Sequence, residues 1–198
     1  MNVSPPPNVI YLPGLRTAPD GALGSWLTAR YGAHGVELGA EAMREASDRF
    51  RARGESIRWP FDDEERLYRE PLQRVRQALA EAPAPRIVVS RSFGCAVLTK
   101  LAWGGEFSGP NVMIASAARK FTAHDLIPSS CPTILIHGRS DPGIPLASIR
   151  ELATASGDHV QLWEVEGGHA LEHITEDGTV ARALERLGGV ALTPEDRR

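Results

Sequence analysis

Three residues whose side chains can together perform nucleophilic catalysis each follow an apolar run of this sequence: Ser92, Asp141 and His169. A serine hydroxyl is a weak nucleophile until a histidine within hydrogen-bond reach takes its proton, and that histidine needs a carboxylate to orient it. We therefore assign Ser92 as the candidate nucleophile, His169 as the candidate base and Asp141 as the candidate acid. This combination of groups is suited to acyl transfer, for example the hydrolysis of an ester or a thioester.

Each of these residues also has a simpler interpretation. A serine at the end of a strand and an Asp-Pro pair commonly form turns without any catalytic role. His173 competes with His169 for the role of base, although Gly167-Gly168 gives the loop before His169 the freedom to place its ring. The predicted chemistry therefore depends on elements that bring the three side chains together.

Short apolar runs alternate with longer helical patterns along the chain. We predict strands at 8–12, 87–89, 111–116, 132–138 and 159–165. We predict helices at 21–32, 40–53, 63–82, directly after Ser92, at 146–156 and at 179–187, with a break or a new helix start at Pro71. Segments 36–38 and 56–59 are rival candidates for one more strand, and the sequence does not decide between them.

Most of the predicted strands are almost continuously apolar, which is typical of strands covered on both faces. The pattern predicts an α/β fold with a mostly parallel central sheet and helices on both of its faces. In such sheets, ligands bind beyond the carboxyl ends of the strands. The three candidate catalytic residues each lie just beyond one of these ends, so we expect them to meet there.

The sequence resembles the α/β-hydrolase family over nearly its whole length. The stretch Ser90-Arg91-Ser92-Phe93-Gly94 is similar to the G-x-S-x-G nucleophile motif, and "HGRSDPGIP" at 137–145 and "EGGHALEH" at 166–173 are similar to the acid and histidine turns. The resemblance implies the minimal form of the fold, without a lid domain. Among the members of this family, the chain is most similar to the small, lidless bacterial serine esterases near the YqiA-type group.

The resemblance also implies where an oxyanion would bind. The backbone N–H groups of Leu15 and Phe93 correspond to the oxyanion hole. The chain departs from the family in three places. Ser90 replaces the first glycine of the nucleophile motif, and Cys95 stands where a second small residue, often glycine, is common. The first loop has Pro13-Gly14 where His-Gly is usual.

Arg16 and Arg91 are candidate substrate-binding residues because they lie near the predicted site, and Trp59 is a further candidate because it ends one of the two rival strand segments. The planar guanidinium of an arginine suits an anionic substrate group, although most arginines are simply solvated at the surface. Trp59 lies beside Pro60 and is the tryptophan that we expect to line a binding cleft.

Two functional hypotheses follow from these residues. The first is a serine hydrolase that cleaves a carboxylic ester or thioester through an acyl-enzyme and needs no metal or organic cofactor. The alternative is a non-hydrolytic protein of the same fold, such as a binding protein, an isomerase or a lyase, and the replacement of the motif glycine by Ser90 is one reason to consider it.

Length, charge and hydropathy indicate the number of domains, the kind of partner and the location of the protein. The chain has 198 residues and a formal charge of −3, so we expect one domain over 1–198, with flexible ends at 1–7 and 190–198. The mixed charges argue against a nucleic-acid partner, and no run is long and apolar enough for a membrane span. We expect a cytoplasmic protein with a small-molecule substrate, because the first residues also lack the features of a signal peptide. The oligomeric state stays open.

Overall fold

The structure is a computed structural model that describes residues 8–84 and 86–188. The predicted flexible ends at 1–7 and 190–198 therefore lie outside the described residues. The strands are β1 (Asn8–Leu12), β2 (His34–Gly35), β3 (Arg86–Arg91), β4 (Asn111–Ile114), β5 (Thr133–Gly138) and β6 (Val160–Val165). The helices are α1 (Ala22–Tyr31), α2 (Glu41–Ala52), α3 (Glu64–Glu81), α4 (Phe93–Trp103), α5 (Ala118–Phe121), α6 (Leu146–Ser156) and α7 (Thr179–Gly188), with a 3-10 helix at Glu172–Thr175.

The described strands form a sheet in the order β2-β1-β3-β4-β5-β6, and every pair of neighbours is parallel. Ile10 lies opposite Val88, Val88 opposite Asn111, and Ile134 opposite Gln161. The predicted mostly parallel sheet is confirmed. Because all of the strands point the same way, their carboxyl ends meet at one edge of the sheet.

Side chains of each strand alternate between two apolar layers. In β3, Val88 faces a cluster that includes residues of α2, α3, α4 and α6, whereas Ile87 and Val89 face a cluster with residues of α1 and α7. A side chain on either face is therefore shielded from water by helices. This burial on both faces explains why the strands are almost continuously apolar in sequence.

Neither of the two rival segments, 36–38 and 56–59, is a strand in the structure. The extra strand is β2 at His34–Gly35, just before segment 36–38, and it pairs with β1 at the edge of the sheet. Residues 56–59 form no strand in the structure; the Trp59 N–H donates to the carbonyl oxygen of Lys120 instead. The predicted break at Pro71 is wrong, because α3 continues through it and the proline is buried on the inner face of the helix. Packing of that face offsets the missing N–H of the proline.

None of the described helices is long and apolar enough to cross a membrane.

Candidate active site

Ser92 lies at a sharp bend between β3 and α4. Its backbone has φ 49° and ψ −113°, a conformation that L-residues rarely adopt. The surrounding backbone maintains it: the Ser92 N–H donates to Ile114 O at 2.9 Å, and Ser92 O accepts from the N–H groups of Cys95 at 3.1 Å and Ala117 at 3.2 Å. The bend holds Ser92 at the carboxyl edge of the sheet, as the geometry of a nucleophile elbow requires.

Gly94 makes this bend possible because α4 begins in close contact with the end of β1. A Cβ atom at position 94 would lie 2.5 Å from Leu12 O and 2.6 Å from Pro13 O. Since both neighbours are backbone atoms, neither can move aside cheaply. The glycine of the motif is therefore required by the approach of α4 to the loop that carries Leu15.

Ser90 replaces the other motif glycine without disturbing the bend. Its side chain is fully buried, and its hydroxyl donates to Cys95 Sγ at 3.3 Å. The serine at 90 and the cysteine at 95 thus fill the space between β3 and α4 as a pair. Burial raises the pKa of the Cys95 thiol to about 11, so this cysteine is a packing residue with no thiolate at neutral pH.

Ser92, His169 and Asp141 form one chain of hydrogen bonds. His169 Nε2 lies 3.0 Å from Ser92 Oγ, and His169 Nδ1 lies 2.7 Å from Asp141 Oδ2. An ionised carboxylate can only accept, so Nδ1–H of His169 donates to Asp141. In the neutral ring Nε2 then accepts the hydroxyl proton of Ser92. The three residues that the sequence singled out are brought together in the arrangement that activates a serine.

The environment of Asp141 keeps its carboxyl ionised. The side chain is fully shielded from solvent, and this burial raises its pKa. The hydrogen bonds from His169 and from the Gly143 and Ile144 N–H groups more than offset that effect, so the net pKa lies below its usual range. The two N–H groups donate to Oδ1 at 2.8 Å and 3.0 Å, which leaves Oδ2 aimed at His169.

The loop that carries His169 is held by two residues whose role the sequence did not reveal. A Cβ atom on Gly138, at the end of β5, would lie 2.4 Å from Gly167 O and 2.6 Å from Gly168 O. Arg91 donates from its guanidinium to Ala170 O at 2.9 Å and to His169 O at 3.4 Å. Both contacts join segments far apart in the chain, so no local sequence signal marks them.

The two predicted oxyanion donors belong to residues near Ser92: Phe93 follows it in the chain, and Leu15 lines the same cavity. Phe93 is the first residue of α4, a position whose N–H has no acceptor within the helix. Its ring packs 5.5 Å from those of Tyr68 and Phe121, measured between centroids, which anchors this end of the helix. Leu15 lies in the β1–α1 loop, where Gly14 N–H donates to Thr17 Oγ1 at 2.7 Å and closes a tight turn. The assignment of these N–H groups as donors to an oxyanion stays a prediction.

A cavity of about 280 Å³ opens above Ser92 and His169. Leu15, Arg16 and Arg91 line it, so two of the predicted substrate-binding residues lie at the site. Arg16 is exposed and forms an ion pair with Asp48. Trp59 lies instead in a neighbouring cleft of about 910 Å³, with 40% of its surface exposed.

The sequence matches no family model, and no curated protein matches it. Solved structures are similar to it. A hydrolase of the alpha/beta superfamily from Xanthomonas campestris pv. campestris has a TM-score of 0.62 and 18% identity, over 91% of this chain and 97% of the other. A YdeN-like hydrolase from Pectobacterium atrosepticum has a TM-score of 0.62 and 20% identity, over 90% and 89% of the two chains. The type II thioesterase BorB from the borrelidin biosynthetic cluster has a TM-score of 0.60 and 16% identity, over 94% of each.

This chain has the α/β-hydrolase fold. The structures above match its size as well as its topology, so the fold is present in a minimal form. The connection from β4 to β5 contains a single short helix, α5. Within the described part of the chain, no group of three or more histidine, cysteine or acidic side chains is arranged to hold a metal ion.

Proposed function

We propose that this protein is a serine hydrolase that cleaves a carboxylic ester or thioester through an acyl-enzyme. One observation carries the proposal: Ser92 Oγ lies 3.0 Å from His169 Nε2, and His169 Nδ1 lies 2.7 Å from Asp141 Oδ2, with the serine on a strained bend. A turn serine needs neither this conformation nor a histidine that is oriented by a buried carboxylate. The arrangement is the one that raises the nucleophilicity of a hydroxyl.

The reaction follows from the positions of these groups. Ser92 Oγ attacks the carbonyl carbon of the substrate while His169 Nε2 takes the hydroxyl proton. The N–H groups of Leu15 and Phe93 donate to the oxyanion of the tetrahedral intermediate. As the intermediate collapses, His169 gives its proton to the leaving alcohol or thiol, and the acyl group stays on Ser92. Water then repeats the two steps, with His169 as its base, and releases the acid.

The similar solved structures support hydrolysis but do not define the substrate. One of them is named a thioesterase and two are named hydrolases. At 20% identity or less, a shared fold does not by itself establish a shared reaction, so these names are supporting observations only. The finer similarity to the YqiA-type esterases stays a prediction, as do a cytoplasmic location and the lack of a nucleic-acid or membrane partner.

Covalent labelling of the serine tests the proposal. We expect a fluorophosphonate probe to modify the wild-type protein at Ser92 and to leave Ser92→Ala unmodified. We also expect Ser92→Ala to lose hydrolysis of short p-nitrophenyl esters. Ser25→Ala is the matched control, because Ser25 is an exposed serine on α1. If Ser92→Ala hydrolyses these esters at the wild-type rate, Ser92 is not the nucleophile.

The alternative is a non-hydrolytic protein that uses the same cavity. The reason to consider it is Ser90, which replaces a glycine of the motif at the bend. The hydroxyl of Ser90 is satisfied by Cys95, and the backbone of Ser92 keeps its strained conformation. The structure thus offers the alternative no specific support. The labelling experiment separates the two, since a binding protein without an activated serine would not react with the probe.

A further inference from the structure

The cavity above Ser92 is lined by cations and by no carboxylate among the described residues. Its lining contains Arg16, Arg51, Arg91 and Lys120, while the carboxylate of Asp141 is buried beneath His169. Four basic side chains and no acidic one around so small an opening favour a positive local potential. Such a potential favours a substrate that carries negative charge.

The four cations differ in whether other groups of the protein pair with their charge. Arg16 forms an ion pair with Asp48, and Arg91 donates to the backbone carbonyls of the His169 loop. Arg51 and Lys120 form no ion pair with the carboxylates of residues 8–84 and 86–188. Arg51 is exposed, so water solvates its charge. Lys120 is the half-buried cation of the site that has no ion-pair partner among these residues, although its Nζ lies 5.8 Å from the centre of the Phe121 ring.

Lys120 lies on α5 at the border between the two cavities. It lines the one above Ser92 and also the neighbouring cleft of about 910 Å³, together with Gly143 and Ile144. The side chain is half-buried, and this burial lowers the pKa of Lys120, although the charge of Asp141 partly opposes the effect. Holding an ammonium group partly out of water without a counter-ion costs free energy. An anion bound beside it would remove that cost.

The carboxylates that line the larger cleft form ion pairs with arginines rather than with Lys120. Glu55 pairs with Arg53, and Asp125 and Glu151 both pair with Arg119. Lys120 thus lines two neighbouring cavities and has no ion-pair partner in the part of the chain that the structure describes. The natural partner is a group that arrives with the substrate.

We propose that the substrate of this protein is an anionic ester or thioester whose negative group binds Lys120 at the border of the two cavities. The proposal rests on the function proposed above and names its substrate class. Arg51, at the rim, adds a weaker attraction because an exposed charge is screened by water and salt. The ammonium of Lys120 is the specific contact, and it places the scissile carbonyl over Ser92.

Two matched pairs of esters test this inference. The first pair varies the acyl group, with p-nitrophenyl hydrogen adipate against neutral p-nitrophenyl hexanoate. The second pair varies the leaving group, with 4-butyryloxybenzoate against neutral 4-butyryloxybenzamide. For at least one pair we expect the anionic ester to be cleaved with a kcat/KM about ten-fold or more higher, the size of one charge-assisted hydrogen bond. The pair that shows the preference identifies the side of the substrate that carries the charge.

Variants of Lys120 connect the preference to this side chain. We expect Lys120→Met to bring the anionic-to-neutral ratio of kcat/KM close to one, mainly through a higher KM for the anionic ester. Lys120→Arg should retain most of the preference, and added salt should weaken it in the wild type. Arg69→Met is the matched control, because Arg69 is an exposed cation on α3 that lines neither cavity. The ratio is insensitive to partial misfolding, since a smaller active fraction lowers both rates equally.

The outcomes separate this inference from the function on which it rests. If the neutral esters are hydrolysed through Ser92 but neither anionic ester is preferred, the inference is wrong and the proposed function stands. A preference that persists in Lys120→Met also overturns the inference. If no ester of either pair is hydrolysed, the proposed function fails, and the inference fails with it.

Discussion

Replacing Gly138 by alanine would place a methyl group against the loop that carries His169. The new Cβ atom would lie 2.4 Å from Gly167 O and 2.6 Å from Gly168 O, whereas real Cβ contacts are essentially never shorter than 3.0 Å. The loop must therefore move outward by about 0.6 Å, the difference between 2.4 Å and 3.0 Å. Both obstacles are backbone carbonyls, so no side chain can rotate away to relieve the contact.

This displacement would lengthen the hydrogen bonds of the His169 ring. The contact between His169 Nε2 and Ser92 Oγ is 3.0 Å, and lengthening it by the same amount puts it beyond hydrogen-bond distance. Misplacing a catalytic group by 1 Å can cost about a hundred-fold in rate, so we expect kcat of Gly138→Ala to fall by roughly ten- to hundred-fold. Crowding of this kind also costs about 1–3 kcal/mol of stability.

Ester hydrolysis and urea denaturation measure the two effects separately. Gly168→Ala is the matched control in the same loop, because its Cβ would meet Ser140 O only at 3.7 Å and Pro142 Cδ at 3.8 Å, which are ordinary contacts. We expect this control to retain most of its activity and all of its stability. If Gly138→Ala matches the wild type in both kcat and unfolding free energy, the close approach of the two loops does not position His169.

The remaining predictions concern Asp141, Gly94 and the two cysteines. Asp141→Asn should lower kcat by about 10⁴-fold, because the amide favours the wrong tautomer of His169. Since the folded pKa of Asp141 is lowered, its ionised form stabilises the fold above the unfolded pKa of about 4, and this contribution is lost as the pH falls through the folded pKa. Unfolding of the wild type and of Asp141→Asn at several pH values should therefore show a difference that narrows below about pH 4. Gly94→Ala should destabilise the protein by about 1–3 kcal/mol in urea denaturation, because its Cβ would lie 2.5 Å from Leu12 O; wild-type stability would contradict this. Cys95 and Cys131 are both buried with raised thiol pKa values, so a thiol reagent should modify them only after unfolding, and rapid modification of the native protein would refute that burial.

The sequence by itself determined the order and type of most elements. Residues 87–89, 111–116, 132–138 and 159–165 are apolar runs, and burial between two layers of helices requires such runs in any parallel sheet. The candidate nucleophile, acid and base were also visible, because a strand end in this kind of sheet is where a ligand site forms. Local composition carries this information, since it depends only on neighbours in the chain.

Tertiary structure decided how these residues are held and what surrounds them. The need for glycine at 138, the anchoring of the His169 loop by Arg91 and the position of Lys120 between two cavities all depend on segments that are distant in sequence. The continuity of α3 through Pro71 likewise follows from packing against the core, which outweighs a local preference of the backbone. A change of a few tenths of an ångström in the distance between two loops can decide whether a histidine reaches a serine. Such distances are set only when the chain has packed.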